Sequence, residues 1–209
     1  MLEEQIEFSI IKFSELDSIK FRADAEFYQR RHLKLDEKLR KLGCISLKDV
    51  GAKLDCSAFY PSITDEYNFD GEGIPFLRVN EIQNGLVKTT SSTAFLPQHV
   101  LDKNPSTIST AYPFDIVIAK GGNSLAKLGL LPTDFPKYAL SRDLIAVRTS
   151  DLKINKYFVW LFLHSAYGQN ILWRTASQTG QPHLTLPSIE QLVIPKETLI
   201  YSQEKQLSR

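Results

Sequence analysis

Phe114-Asp-Ile-Val-Ile-Ala-Lys-Gly-Gly-Asn-Ser-Leu-Ala-Lys-Leu-Gly129 is the stretch around which the chain is organised. It opens with Ile116 to Ala119, a short apolar run rich in β-branched residues, which predicts a buried strand. Lys120 leads into Gly121-Gly122-Asn123-Ser124. Paired glycines allow positive φ and let another backbone or a ligand approach closely. Asn123 and Ser124 offer hydrogen-bonding groups at the tip, and Lys127 adds a second cation. A strand ending in such a turn can present its tip to a phosphate backbone. A tight turn with ordinary surface lysines satisfies the same residues, so the neighbouring segments have to decide.

Downstream, Leu128 to Tyr138 contains Pro132 and Pro136 and reads as a loop, and Ser141 to Arg148 as a strand burying Leu144, Ile145 and Val147. Upstream, Phe76 to Ile82 alternates in the strand sense, and Asn84-Gly85 is a strong turn signal. Arg78 and Asn80 are then expected on one side of one strand. These types pair bidentately with guanine and adenine edges, and they serve equally in surface salt bridges. Residues 55–73 form a long loop with an acidic cluster from Asp65 to Glu72, and such length marks function or mobility. Phe8 to Phe13 is a candidate short strand and Ile45 to Val50 a short element.

Two helices frame these segments. From Ser18 to Leu42, Phe21, Ala25, Tyr28, Leu35, Leu39 and Leu42 form one apolar stripe, interrupted by His32, which is expected on the helix surface. Gly43 is placed to stop this leader helix. From Lys20 to Lys41 eight cations face four anions, and they lie mostly off the stripe. A basic face towards DNA or a partner and an ordinary solvated face both fit. Lys153 to Arg174 predicts a second, aromatic-rich helix that suits a core better than a base-stacking platform. Gly168 is expected there as a kink or close-contact point and His164 as a packed or edge residue. The loop Ser177-Gln-Thr-Gly-Gln-Pro-His-Leu184 is dense in amide, hydroxyl and imidazole groups without an acid, suited to base edges or phosphates. Leu192 to Pro195 predicts a last strand, and Ser202 to Arg209 the start of a helix.

The 209 residues, 43% hydrophobic and 23% charged, describe an ordinary globular chain. A formal net charge of +1 means that any basic surface comes from local segregation. Lys120 to Arg148 holds five cations against Asp134 and Asp143. Cys44 and Cys56 match no common zinc spacing and read as free thiols. The N-terminus is acidic where a secretory signal is basic, and the longest apolar run, Tyr157 to Leu163, is too short to cross a bilayer. A cytoplasmic protein with no membrane association is expected. The Walker loop, the Gly-x-Ser-x-Gly elbow, the Asn-Pro-Pro-Tyr signature of amino-methyltransferases and a clear nuclease pattern are all missing. No catalytic residue, metal site or cofactor is expected.

Four stretches, taken in order, resemble the target recognition domain of type I restriction-modification specificity subunits. They are Ile74 to Gly85, Asp115 to Lys127, the helix Tyr157 to Trp173 with Gly168-Gln169, and Thr179 to Pro187 running into Leu192-Val-Ile-Pro195. Ser202-Gln-Glu-Lys-Gln206 resembles the start of that family's helical spacer, and Arg22 to Tyr28 part of its leader helix. Ala126 is a departure, since family members more often carry glycine there. A second is length, since many members carry two such domains. The resemblance implies a mixed α/β (α+β) fold: a twisted, mostly antiparallel or mixed sheet with a leader helix and the start of a C-terminal spacer helix. It implies a lead-in over 1–44, a recognition domain over 45–200 and a spacer from 201 to 209. It also implies sequence-specific binding of a double-stranded DNA half-site, with methyl transfer and cleavage on partner methyltransferase and restriction subunits. A homodimer through the terminal helices is one such arrangement. From residue type and loop position, the expected contacts are Arg78, Asn80, Lys120, Gly121, Gly122, Asn123, Ser124, Lys127, Arg142, Gln178, Thr179, Gln181 and His183. Two rivals stand beside this reading: the recognition portion of a single-chain enzyme that both methylates and cuts, and a protein-interaction module that binds no DNA.

Overall fold

The computed structural model describes residues 8–16, 22–58, 62–176 and 181–196. The apolar run of the organising stretch is a strand at the centre of the largest sheet. Naming elements in chain order, that sheet contains β2 (Lys53–Cys56), β4 (Ile82–Gln83), β5 (Leu86–Val87), β8 (Ile116–Ala119), β9 (Leu128–Leu130) and β11 (Leu144–Arg148), in the order β2-β11-β8-β9-β5-β4. A second sheet has the order β6-β3-β10-β7, built from β3 (Ile74–Leu77), β6 (Ala94–Leu96), β7 (Thr110–Ala111) and β10 (Tyr138–Leu140). β10 pairs with β3 in parallel, and β5 with β9; the other pairs are antiparallel. The mixed, mostly antiparallel α+β expectation holds.

Every residue of β8 is buried because the large sheet is covered on both faces. Ile116 and Ile118, with Ile145 and Val147 of β11, meet α1 (Arg30–Leu42), α3 (Lys156–His164), α4 (Ala166–Thr175) and α5 (Leu186–Glu190). Val117, Ala119, Leu144 and Ala146 face the second sheet through Leu77, Tyr138 and Leu140. Beyond it, Phe76, Leu96, Val100 and Leu101 close a third cluster around α2 (Gln98–Lys103). The order is therefore helices, sheet, sheet. Asp115 enters this core ionically: its carboxylate accepts the Tyr112 and Thr149 N–H groups at 3.0 and 2.9 Å and meets Arg148 at 3.2 Å. Arg148 also pairs with Asp55 at 2.9 Å. It therefore ties strand ends together and adds no free charge to the basic segment.

The smallest sheet joins β1 (Cys44–Ser46) to β12 (Val193–Pro195), with Cys44 opposite Pro195. The predicted last strand and the Asn84-Gly85 hairpin both form. Asn84 and Gly85 take φ 51° and 80°, matching the two positive values of the favoured two-residue turn.

Several boundaries differ from the sequence reading. The leader helix begins at Arg30, not Ser18, and residues 25–28 form a turn. Arg22 explains this locally. Its guanidinium binds both Asp24 carboxylate oxygens, at 2.7 and 2.6 Å, and the Arg174 and Ala176 carbonyls at the end of α4. Phe27 lies 4.5 Å from Arg22 and 4.1 Å from Arg174. These tertiary contacts hold the segment in a non-helical path. His32 is buried at 4% exposure, with Nδ1 at 2.6 Å from Asn170 Oδ1, and is not a surface residue. The predicted helix 153–174 breaks at Ser165, whose hydroxyl accepts from Gly168 N–H and donates to the Phe162 carbonyl. A Cβ on Gly168 would lie 2.2 Å from that carbonyl oxygen, so only glycine permits this approach. Residues 128–138, read as a loop, supply β9 and the start of β10. Residues 8–12 form no strand and lead into a single 3₁₀ turn at Phe13–Glu15. The expected spacer start, 201–209, lies outside the described residues.

Candidate nucleic-acid interface

The carboxyl end of β8 is where three loops meet. The backbone N–H of Lys120 donates to the Asp143 carbonyl at 2.8 Å, which joins the glycine turn to the turn before β11. Its carbonyl accepts the Leu184 N–H at 2.7 Å, and Gly121 bridges to His183. That second bond brings in the polar loop that precedes α5. A Cβ on Gly121 would lie 3.1 Å from the Pro182 carbonyl oxygen, so the two backbones press together. Gly122 takes φ 66°, which glycine adopts without strain, and starts a 3₁₀ turn over Gly122–Ser124.

The three loops enclose a cleft of about 950 Å³. Lys120, Gly121, Gly122, Asn123, Ser124, Arg142, Gln181 and His183 all line it. Eight residues expected from the sequence to act together are thus assembled in one place, though they span 64 positions of chain, from Lys120 to His183. Cys56, Ile145, Leu184 and Leu186 supply apolar lining. Asn123, Arg142, Gln181 and His183 are exposed. The cleft combines cations, amides, a hydroxyl and an imidazole over a partly apolar wall. That chemistry suits a polyanion whose bases also carry hydrogen-bonding edges.

The turn is held from behind. Ala126 is fully buried, and its φ of 65° is left-handed. For an L-residue with a Cβ this conformation costs about 1–2 kcal/mol, which gives the departure from glycine at this position a physical meaning. Ala126 N–H donates to the Ala119 carbonyl at 3.1 Å. Its own carbonyl accepts Gln169 Nε2 at 3.1 Å, and the same nitrogen donates to the Leu163 carbonyl at 3.0 Å. Gln169 therefore bridges the end of α3 to the turn.

The remaining expected residues are placed differently. Lys127 is exposed and its Nζ lies 3.4 Å from the Val79 carbonyl; Val79 lines the cleft, so Lys127 stands at its rim. Arg78 and Asn80 do not share a strand face. β3 ends at Leu77, and Val79–Glu81 is a 3₁₀ turn. The buried Glu81 carboxylate causes the break by accepting the Arg78 N–H at 2.8 Å. Arg78 Nη2 donates to the Ser92 carbonyl and lies 3.7 Å from Glu81, so its charge is spent on the fold. Asn80 is exposed but is not part of the cleft lining. Gln178 and Thr179 lie outside the described residues. Asp143 and Val79 also line the cleft and were missed. Position beside Arg142 was the only sequence signal for Asp143, and Val79 had none.

Among the described residues, no group of three or more His, Cys, Asp or Glu is placed to hold a metal ion, and no helix is long and apolar enough to cross a membrane. No protein-family model matches the chain, and no curated protein matches it in sequence. Solved structures do match in fold. One, described for complex assembly and conformational transition of the type I R-M system, aligns with a TM-score of 0.54 at 16% identity, over 84% of this chain and 43% of that one. The HsdS subunit from Thermoanaerobacter tengcongensis aligns with a TM-score of 0.52 at 17% identity, over 84% of this chain and 43% of the subunit. The type IIG restriction endonuclease BpuSI aligns with a TM-score of 0.61 at 15% identity, over 89% of this chain and 28% of the enzyme. The chain thus has a fold found in restriction-modification proteins and spans less than half the length of each of these relatives.

Proposed function

We propose that this chain reads DNA sequence for a restriction-modification system, binding a short double-stranded half-site. The observation that carries the reading is the cleft at the end of β8. Lys120, Arg142 and the rim residue Lys127 supply phosphate-directed charge there, next to the base-edge chemistry of Asn123, Gln181 and His183. The likeness in fold to the HsdS subunit supports the same reading. In this proposal residues 45–200 are the recognition domain, 1–44 the lead-in and 201–209 the start of a spacer. The chain performs no chemistry and needs no cofactor. It directs methyltransferase and restriction subunits to the site, in the cytoplasm, with a homodimer through the terminal helices as one assembly. The likeness to BpuSI favours a second arrangement, in which the catalytic domains lie on the same polypeptide.

Enrichment of a randomised duplex pool on the purified protein tests the reading. A short enriched motif is the expected result. Changing Lys120 and Lys127 to alanine together should weaken binding across all sequences and flatten the salt dependence by about two units, near 0.9 per phosphate contact. Unchanged affinity at low and moderate salt would remove both lysines from the interface. A folded sample that retains no duplex at low salt would instead favour a protein-interaction module.

A further inference from the structure

Asp143 is the one carboxylate among the described residues that line the cleft. Its backbone carbonyl is held by the Lys120 N–H, which fixes the residue beside the glycine turn. The residue is exposed, and among the described residues no side-chain hydrogen bond or ion pair engages it. The rest of the polar lining donates, as Lys120 and Arg142 do, or both donates and accepts, as Asn123, Gln181 and Ser124 do. A carboxylate only accepts.

That difference constrains what it can face. Against a phosphate oxygen it is repelled, whereas the two cations beside it keep the cleft attractive to the backbone as a whole. Against a base edge in the major groove it finds donors only at the exocyclic amino groups, N4 of cytosine and N6 of adenine. Guanine N7 and O6, and thymine O4, present acceptors and oppose it. We propose that Asp143 is a base-reading residue: it accepts a hydrogen bond from the amino group of cytosine or adenine and rejects guanine and thymine at that position. This inference rests on the DNA-recognition reading above.

The experiment is pool enrichment followed by competition binding, using the full chain, Asp143→Asn and Asp143→Ala, each checked for an unchanged melting temperature. The exposed turn position leaves both variants free to fold. The parent should select cytosine or adenine at one position. Asp143→Ala should lose discrimination there by about tenfold or more, the effect of one good base contact, with the other positions kept, whereas Asp143→Asn, whose amide both accepts and donates, should stop rejecting guanine and thymine. If Asp143→Ala keeps the whole motif and binds every duplex more tightly, the carboxylate merely repels phosphates; the proposal is then overturned and the DNA reading survives. If the parent binds duplex without a motif, or does not bind at low salt, this proposal falls too, and in the second case the DNA reading falls with it.

Discussion

His32 shows how far one side chain can depart from its pattern. Burial pushes its pKa below the usual 6.5, against the hydrogen bond to Asn170, and the charges of Arg174 and Arg31 act in the same direction as burial. Asn170 Oδ1 can only accept, so the neutral ring carries its proton on Nδ1. In the unfolded chain the ring protonates near 6.5. Between that value and the lower folded value the unfolded state binds more protons. Stability therefore falls as pH drops through 6.5, and His32 adds no pH dependence well above it. The melting temperature is expected to fall between pH 7.5 and 5.5, and to fall less in His32→Gln, as thermal denaturation at the two values would show. The sequence placed this histidine on the apolar stripe yet could not reveal that Asn170, far away in sequence, would cover it.

Elements were legible where local periodicity and burial agreed. β8, β11, β12 and the Asn84-Gly85 hairpin follow directly from apolar runs and turn chemistry. They failed to be legible where a distant group decides the backbone. Glu81 ends β3 by capturing the Arg78 N–H, and Arg22 straightens the start of the leader by binding the end of α4. The glycine turn after β8 is governed in the same way, through Gln169. Gln169→Leu removes both amide hydrogen bonds and leaves the Ala126 and Leu163 carbonyls without this partner. At about 0.5–1.5 kcal/mol per bond, with more for any carbonyl left dry, a loss of about 2 kcal/mol in urea denaturation is expected. Because the bond to Ala126 positions the turn, the proposed DNA reading also requires base selectivity to broaden in the variant at temperatures where it is fully folded. A purely structural brace would lower stability and leave selectivity alone.

For the molecule as a whole, most of the candidate site could be named in advance, since Lys120 to Ser124, Arg142, Gln181 and His183 share one cleft. Their convergence could not be read, because it depends on single backbone bonds between Lys120 and partners at Asp143 and Leu184. The pairing of β1 with β12 carries a further consequence. Cys44 lies directly opposite Pro195, so the backbone enters and leaves the body between them about 5 Å apart. A permuted gene that joins these points through a short linker and opens the exposed 69–72 turn loses α1, whose Leu35 and Leu39 pack in the core, so it is expected to keep a cooperative transition at a lower melting temperature. The same closeness makes the body a cassette: it can be exchanged between longer polypeptides without rerouting the chain on either side.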